Sequence, residues 1–277
     1  MNFFDAILLG IIQGLTEFLP ISSTAHLTLA GRLMGLIDPA KPEQWTAFIA
    51  IIQLGTATAV VIYFYQELIG MTKNFFADVR SPSPQRTWSY ESRLLGKVVI
   101  GTIPVVVFGL LFKKVIEGAF TKEISTFATT LIFFALVLWA AEKVGKRNKP
   151  EQQTTWKDAL IVGIAQACAL IPGASRSGTT ITAGLFLGLS RDAAARFSFL
   201  LSIPAVVASG LYEFYSNRHE LHEVGTGQVI VATAISGIVG YLSIAFLLKY
   251  LRTHSTYLFI MYRIMLGVLL WGWIFWR

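Results

Sequence analysis

Residues 10–26 read Gly-Ile-Ile-Gln-Gly-Leu-Thr-Glu-Phe-Leu-Pro-Ile-Ser-Ser-Thr-Ala-His, and place a carboxylate, an imidazole and several hydroxyls within an otherwise apolar segment. A second stretch, residues 171–180, reads Ile-Pro-Gly-Ala-Ser-Arg-Ser-Gly-Thr-Thr and carries an arginine in a glycine-rich loop. Ionisable groups are costly inside a membrane, and those that occur there are usually functional. We therefore predict that the two stretches meet in the interior of the protein.

The composition is that of a membrane protein. Of the 277 residues, 54% are hydrophobic and only 14% are charged, which is too apolar for a soluble globular domain. A membrane-spanning helix needs about 20 apolar residues, and six segments provide them: 44–70, 92–113, 124–143, 196–215, 228–249 and 255–276. We predict an all-α polytopic membrane protein. The formal charge of +7 does not indicate nucleic acid, because the basic residues cluster in short loops between spans.

Two segments are apolar but broken, so that their pieces are too short to span a membrane. Residues 2–36 are interrupted at Pro20 and Ser22–Thr24, and residues 156–190 are interrupted at Pro172–Ser177. Six residues of the first recur in the second at a constant spacing of 153: Gly10, Gln13, Ser22, Ala30, Gly31 and Gly35 match Gly163, Gln166, Ser175, Ala183, Gly184 and Gly188. A fixed spacing with a break at the same place predicts an internal repeat.

The repeat predicts an inverted architecture within a single membrane domain, 1–277. Each half, 1–150 and 151–277, has a broken re-entrant hairpin followed by three spans. A hairpin returns to its starting side, so three spans leave the second half upside down. Irregular backbone at membrane depth must be buried or line a wet cavity, so we predict a polar cavity where the two breaks meet.

Loop charges predict the orientation in the membrane. Basic residues concentrate in the loops 71–93 and 143–157 and at Lys249 and Arg252, which should be cytoplasmic. The loops 113–123 and 216–227 and both termini should then face outside.

The first broken segment combines several reactive groups. Gln13 and Glu17 are four residues apart and share a helical face. After Pro20, a new helix starts with His26 in its first turn, and its hydroxyls and free N–H groups suit an anion. The hydroxyl residues are Ser22, Ser23 and Thr24.

The second broken segment adds a cation to this chemistry. Gly173 and Gly178 allow the backbone to approach a ligand closely, while Ser175, Arg176 and Ser177 stand at the start of the following helix. Helix N-termini, an arginine fork and hydroxyls form an anion site suited to phosphate. A carboxylate such as Glu17 would repel a bare phosphate, so it should hold a divalent cation or handle a proton.

At these residues the chain resembles the bacterial undecaprenyl-diphosphate phosphatase family of bacitracin-resistance proteins. The resemblance rests on Gln13-x-x-x-Glu17 with Leu-Pro-Ile-Ser-Ser-Thr-Ala-His after Phe18, and on Pro172-Gly-Ala-Ser-Arg-Ser-Gly-Thr-Thr180. It covers nearly the whole chain and implies hydrolysis of the C55 isoprenyl diphosphate to the monophosphate and inorganic phosphate. It also implies dependence on a divalent cation, Mg²⁺ or Ca²⁺, a bacterial plasma-membrane location and an active site that opens outward.

Carried over by position, the resemblance assigns roles to individual residues. Glu17 is the acidic residue for metal or acid–base work, His26 the motif histidine and Arg176 the phosphate-binding arginine. The matching hydroxyl positions are Ser23, Ser175, Ser177 and Thr180. Many family members have glutamate where this chain has Gln13, and glutamine cannot act as a base. The nucleophile stays open between Ser23 and a water activated by Glu17 or His26.

Other polar residues and a second function also stay open. Gln53 lies in an uncharged span, where facing the cavity and binding another helix are equally good interpretations. Arg263 lies in the last span without a motif around it, so we expect a structural ion pair or snorkelling to the membrane surface. Inverted repeats with broken helices are typical of transporters, so transport of a lipid phosphate is the alternative to its hydrolysis. A homodimer is an open alternative for the oligomeric state.

Overall fold

The computed structural model describes residues 1–38, 42–80, 88–112, 123–216 and 225–276. Their regular structure is helical, apart from one isolated bridge between Lys149 and Leu189. The α-helices are α1 (Phe3–Phe18), α2 (Ser23–Leu33), α3 (Pro42–Tyr63), α4 (Tyr65–Arg80), α5 (Tyr90–Leu111), α6 (Ile124–Val144), α7 (Trp156–Cys168), α8 (Arg176–Phe186), α9 (Arg191–Ser216), α10 (Thr226–Leu251) and α11 (Tyr257–Trp276). A short 3-10 helix, Glu151–Gln153, precedes α7.

Six of these helices are long and apolar enough to cross a membrane: α3, α5, α6, α9, α10 and α11. The prediction of an all-α polytopic membrane protein with six spans is confirmed. Three boundaries differ clearly from the sequence prediction. The first span, predicted over 44–70, ends at Tyr63, and a separate helix, α4, begins at Tyr65. The fourth span, α9, begins at Arg191 rather than at residue 196, and residues 71–80 are helical in α4 rather than loop. A search for apolar runs misses both, because the extra turns are polar and are held by side-chain contacts such as those from Ser89 and Ser92 to Asp78.

The two broken segments have matching local structure. The bounds of α8 lie 153 residues after those of α2, and α7 begins 153 residues after α1. The residues that cap α2 and α8, Ser22 and Ser175, both have a positive φ, 75° and 71°. Gly35 and Gly188, which follow the two helices, also share a positive φ. The repeat is therefore visible in backbone conformation as well as in sequence, while its inversion relative to a membrane stays a prediction.

Each broken segment packs against a span of the other half. Helix α1 lies along α10, and α7 lies along α5. In both contacts a glycine allows the two helix backbones to approach closely. A Cβ on Gly10 would lie 2.6 Å from the carbonyl oxygen of Ala232, and one on Gly163 would collide with the backbone of Gly101. The halves are thus interlocked, and this packing places both breaks in the interior.

A substitution at Gly10 tests this packing. Gly10→Ala should destabilise the protein by about 1–3 kcal/mol, because the added methyl group forces α1 away from α10. The measurement is thermal unfolding in detergent. Gly109→Ala is the matched control, since Gly109 lies on α5 with open space around it and the change should be neutral or mildly stabilising. Equal stability of the two variants would contradict the close contact.

Charged residues from four segments converge at one end of the molecule. Arg196, in the first turns of α9, donates to Glu67 of α4 at 2.5 Å and to Glu151 at 3.1 Å. Arg252, at the end of α10, lines a polar cavity with Glu151. The segments predicted to be cytoplasmic therefore share one end, although the side of the membrane stays a prediction. Residues 81–87, 113–122 and 217–224 of the predicted loops lie outside the described residues.

Candidate active site

The two quoted stretches meet at Glu17, near the end of α1. Its carboxylate is buried, with 6% of the residue exposed. The Oε1 atom accepts a hydrogen bond from Nη2 of Arg176 at 2.8 Å. The Oε2 atom accepts from Ser23 Oγ at 2.7 Å and from Gln13 Nε2 at 3.0 Å. Four of the predicted site residues thus form one hydrogen-bonded cluster, and an ion pair joins the first break to the second.

Two polar atoms of this cluster have no partner. Among the described residues, neither Nη1 of Arg176 nor Oε1 of Gln13 makes a hydrogen bond, and both atoms are buried. The amide of Gln13 is held on its other side, where Nε2 also donates to Thr56 Oγ1 at 3.3 Å. A buried polar group without a hydrogen bond costs about 1–3 kcal/mol. Two such groups beside an ion pair indicate a binding site, in which a polar ligand would supply the missing hydrogen bonds.

Ser22 and Ser175 are the N-caps of α2 and α8. Ser22 Oγ accepts from the N–H of Ala25 at 3.4 Å, and Ser175 Oγ accepts from the N–H of Gly178 at 3.2 Å. Both hydroxyls, predicted to bind phosphate, are therefore engaged in capping. Their positive φ angles are strained for serine, and strain of this kind collects at functional sites.

The other predicted hydroxyl and amide residues lie around the cluster without bonding to Glu17. Ser177 donates to the carbonyl of Leu19 at 3.0 Å and ties the two breaks together. Thr180 donates to the carbonyl of Arg176 at 2.7 Å. Thr24 is exposed, and Gln53 is half-buried on α3. None of the four side chains bonds to Glu17, and the position of Gln53 at the cavity stays a prediction.

His26 faces α11 rather than the Glu17 cluster. Its Nδ1 lies 2.7 Å from the carbonyl oxygen of Ser22, so this nitrogen must carry the proton and donate. When the ring is neutral, Nε2 accepts from the hydroxyl of Tyr262, 2.6 Å away. The two rings also stack, with an interplanar angle of 11°. In the described part of the chain, the hydrogen-bond partner of Ser23 is thus Glu17 and not His26.

The expectation for Arg263 is wrong. Its side chain neither forms an ion pair with a described carboxylate nor reaches a membrane surface; it is fully buried. It donates to backbone carbonyls of both breaks: Pro20 at 3.4 Å, Gly173 at 3.2 Å and Ala174 at 2.9 Å. A basic side chain in a span can be stabilised by several kinds of partner. Which partner it has depends on the packing of distant helices, and no local sequence pattern indicates it.

The glycines of the second break leave room for protein neighbours. A Cβ on Gly173, whose φ is +86°, would collide with Thr130 Oγ1. A Cβ on Gly178 would lie 2.7 Å from Nη1 of Arg263. Both positions need glycine for a close approach, and the groups that approach are α6 and the guanidinium of Arg263, whereas the predicted approach to a ligand stays a prediction.

A narrow crevice borders the cluster, and Glu17 and Arg176 are among the residues that line it. The rest of its lining comes from α1, α3 and α9: Phe18, Thr56, Ala57, Val60, Ser202 and Val206. Charged groups beside apolar side chains suit a ligand with a polar head and an apolar tail.

The described residues do not form a metal site by themselves. No group of three or more His, Cys, Asp or Glu side chains comes together among them. Glu17 and the unpartnered Oε1 of Gln13 nevertheless provide two adjacent oxygens. Mg²⁺ is typically held by one or two carboxylates together with substrate phosphates and water, so these residues fit a cation that arrives with a phosphate ligand.

Two residues of this region, Thr56 and Tyr262, were missed in the sequence, and Arg263 was noted there without a role at the site. They lie outside both motifs, on α3 and α11. The one available signal was the charge of Arg263 inside an apolar span, since a buried charge usually has a function.

The fold and this side-chain cluster define a polytopic membrane protein with an ionised centre buried between two helix breaks. Residues 6–269 match the profile of the family described as bacitracin resistance protein BacA. Relatives named undecaprenyl-diphosphatase include one from Syntrophobacter fumaroxidans, 53% identical with 98% of this chain and 97% of the relative covered. Others from Chlorobium phaeobacteroides and Chloroherpeton thalassium are each 51% identical, covering 97% and 98% of this chain and 95% and 96% of theirs. The chain belongs to the bacitracin resistance protein BacA family.

Proposed function

We propose that this protein hydrolyses undecaprenyl diphosphate to undecaprenyl phosphate and inorganic phosphate. Membership of the BacA family and relatives named undecaprenyl-diphosphatase support the reaction. The observation that carries it is the cluster around Glu17, in which one carboxylate accepts hydrogen bonds from a serine hydroxyl and from an arginine. The alternative of lipid transport is not favoured, since a site that only binds its ligand does not need a serine hydroxyl hydrogen-bonded to a carboxylate.

The charge of the site supports an anionic substrate. Arg176 and Arg263 bring two positive charges to the breaks, whereas Glu17 brings one negative charge. The N-termini of α2 and α8 add about half an elementary positive charge each. The resulting surplus of positive charge is buried, and the negative charge of a diphosphate would offset it. Nη1 of Arg176 is free to bind a phosphate oxygen while Nη2 holds Glu17.

We assign the nucleophile to Ser23 and the base to Glu17. Glu17 takes the proton of Ser23 as Oγ bonds to the terminal phosphorus and the bridging P–O bond breaks. Undecaprenyl phosphate leaves, and water then hydrolyses the phosphoserine to release phosphate. Phosphoryl transfer depends mainly on positioning and on neutralised oxygens, which Arg176 provides. His26 acts as a positioning residue, because its bond to the Ser22 carbonyl holds the strained start of α2.

A divalent cation, Mg²⁺ or Ca²⁺, completes the proposed site. Glu17 and the free amide oxygen of Gln13 would hold it together with phosphate oxygens of the substrate. When bound, it neutralises negative charge on those oxygens.

We expect the isoprenyl chain to run beside the apolar residues that line the crevice, among them Phe18 and Val60. We place the protein in the bacterial plasma membrane with the site opening outward and both termini outside. The basic loops support the position of the termini, and family membership supports the outward opening of the site.

The test is phosphate release from undecaprenyl diphosphate by the purified protein in detergent. The parent should be active with Mg²⁺ or Ca²⁺ and lose most activity with a chelator. Ser23→Ala should lower the rate by about 100-fold or more, because the nucleophile is gone. Ser209→Ala is the control, since Ser209 is exposed on α9 and bonds only to its own helix. A folded parent that releases no phosphate with either metal would refute the phosphatase, and full activity of Ser23→Ala would refute its nucleophile.

A further inference from the structure

Arg263 is the buried charge that the proposed chemistry does not use. It lies in α11 with 0% of its surface exposed. A charged side chain within a membrane protein is expensive unless it is paired or has a task. No carboxylate among the described residues pairs with it, and its Nε makes no hydrogen bond. Burial of this charge therefore costs considerable free energy, which the rest of the structure must offset.

The guanidinium connects the two breaks directly. Nη1 donates to the carbonyl of Pro20 in the first break, and Nη2 donates to Gly173 and Ala174 in the second. These carbonyls belong to irregular backbone, which has no helical hydrogen bonds of its own and must be satisfied in the interior. One side chain thus sets the distance between the end of α1 and the start of α8.

Both ends of this connection carry reactive groups. Pro20 lies between Glu17 and Ser23, while Gly173 and Ala174 precede Arg176. Ser23 and Arg176 each donate to the carboxylate of Glu17, at 2.7 and 2.8 Å. Any change in the spacing of the breaks separates the base and the nucleophile from the phosphate-binding arginine.

The second break is shaped to receive this side chain. Gly178, in the first turn of α8, leaves room for the guanidinium where a Cβ would lie 2.7 Å from Nη1. The preceding residue of α11, Tyr262, binds His26 at the start of α2. Two consecutive residues of one span therefore contact the N-terminal ends of both α2 and α8.

We infer that Arg263 is a positioning residue of the phosphatase: it clamps the two breaks in register, and its uncompensated charge strengthens binding of the diphosphate. This inference rests on the proposed function for its reaction, but the clamp and its effect on anion binding are measurable separately. Lysine at this position would keep the charge and lose the forked contact with both breaks.

The experiment compares Arg263→Lys and Arg263→Met with the parent. Two quantities are measured on folded protein: kcat and KM for undecaprenyl diphosphate, and the affinity for a non-hydrolysable isoprenyl diphosphate with a methylene bridge. Arg263→Met should lose about 100-fold in kcat, because misplaced groups cost about that much, and should bind the analogue about tenfold more weakly. Arg263→Lys should recover the binding but not the kcat. Arg252→Met is the control, since Arg252 is exposed at the end of α10.

The two readouts separate the inference from the proposed function. If the parent binds the analogue but releases no phosphate, the phosphatase fails, and weaker binding by Arg263→Met alone still supports the contribution of the Arg263 charge to anion binding. If Arg263→Met does not fold, Arg263→Lys provides the test through its low kcat with intact binding. Parent-like kcat and affinity in either folded Arg263 variant would overturn the inference. A lower melting temperature with unchanged kcat and affinity would also overturn it, since it would show a purely structural role.

Discussion

Glu17→Gln should reduce phosphate release by about 10³-fold, within the range measured for loss of a general base. The amide keeps the size of the side chain but cannot take the proton of Ser23, whose Oγ lies 2.7 Å from the carboxylate. It also removes the partner of Arg176, which then carries an uncompensated charge beside the substrate. The measurement is kcat with undecaprenyl diphosphate at saturating metal, on protein shown by circular dichroism to be folded.

The chain offers a matched control for this change. Glu142 is also a buried carboxylate with arginine partners, Arg147 and Arg191, but it lies at the end of α6 and bonds to no residue of the Glu17 cluster. Glu142→Gln should lower the melting temperature and leave the kcat of the folded protein within a few-fold of the parent. If Glu17→Gln keeps a tenth or more of the parent activity, Glu17 is not the base.

Arg176→Lys should reduce kcat by about 10²–10³-fold, the loss seen when one donor to developing charge is removed. The guanidinium holds Glu17 through Nη2 and leaves Nη1 for a phosphate oxygen. The ammonium of lysine is a point charge and cannot hold both partners in a plane. The measurement is kcat and KM with the same substrate. The KM should rise as well, because a phosphate oxygen of the bound substrate also contacts Nη1 before the reaction.

Arg191→Lys is the control for the arginine substitution. Arg191 pairs with Glu142 at the start of α9, at the end of the molecule that carries the ion-pair network. Its replacement should weaken this ion pair without changing the chemistry. Activity of Arg176→Lys within tenfold of the parent would show that Arg176 acts only as a structural partner of Glu17.

Local patterns predicted the parts of this protein that depend on local physics. Six spans, two breaks and the pairing of Gln13 with Glu17 on one helical face follow from apolar length, proline and glycine positions and helical periodicity. The matching caps at Ser22 and Ser175 follow from the same internal repeat. The meeting of the two breaks was also predictable, because polar groups in a membrane interior must find each other.

The exact partners within the site depended on the tertiary structure. His26 was named as a group that could activate a water, yet its ring nitrogens lie against the Ser22 carbonyl and the hydroxyl of Tyr262, which is 236 residues away. Arg263 was expected to pair with a carboxylate or to snorkel, yet it binds the carbonyl of Pro20, 243 residues away. Such contacts arise when α11 packs beside both breaks, and a buried donor takes whichever acceptor that packing leaves unsatisfied. Residue type and spacing along the chain determine which groups need partners, whereas the packing of distant helices determines which partners they obtain.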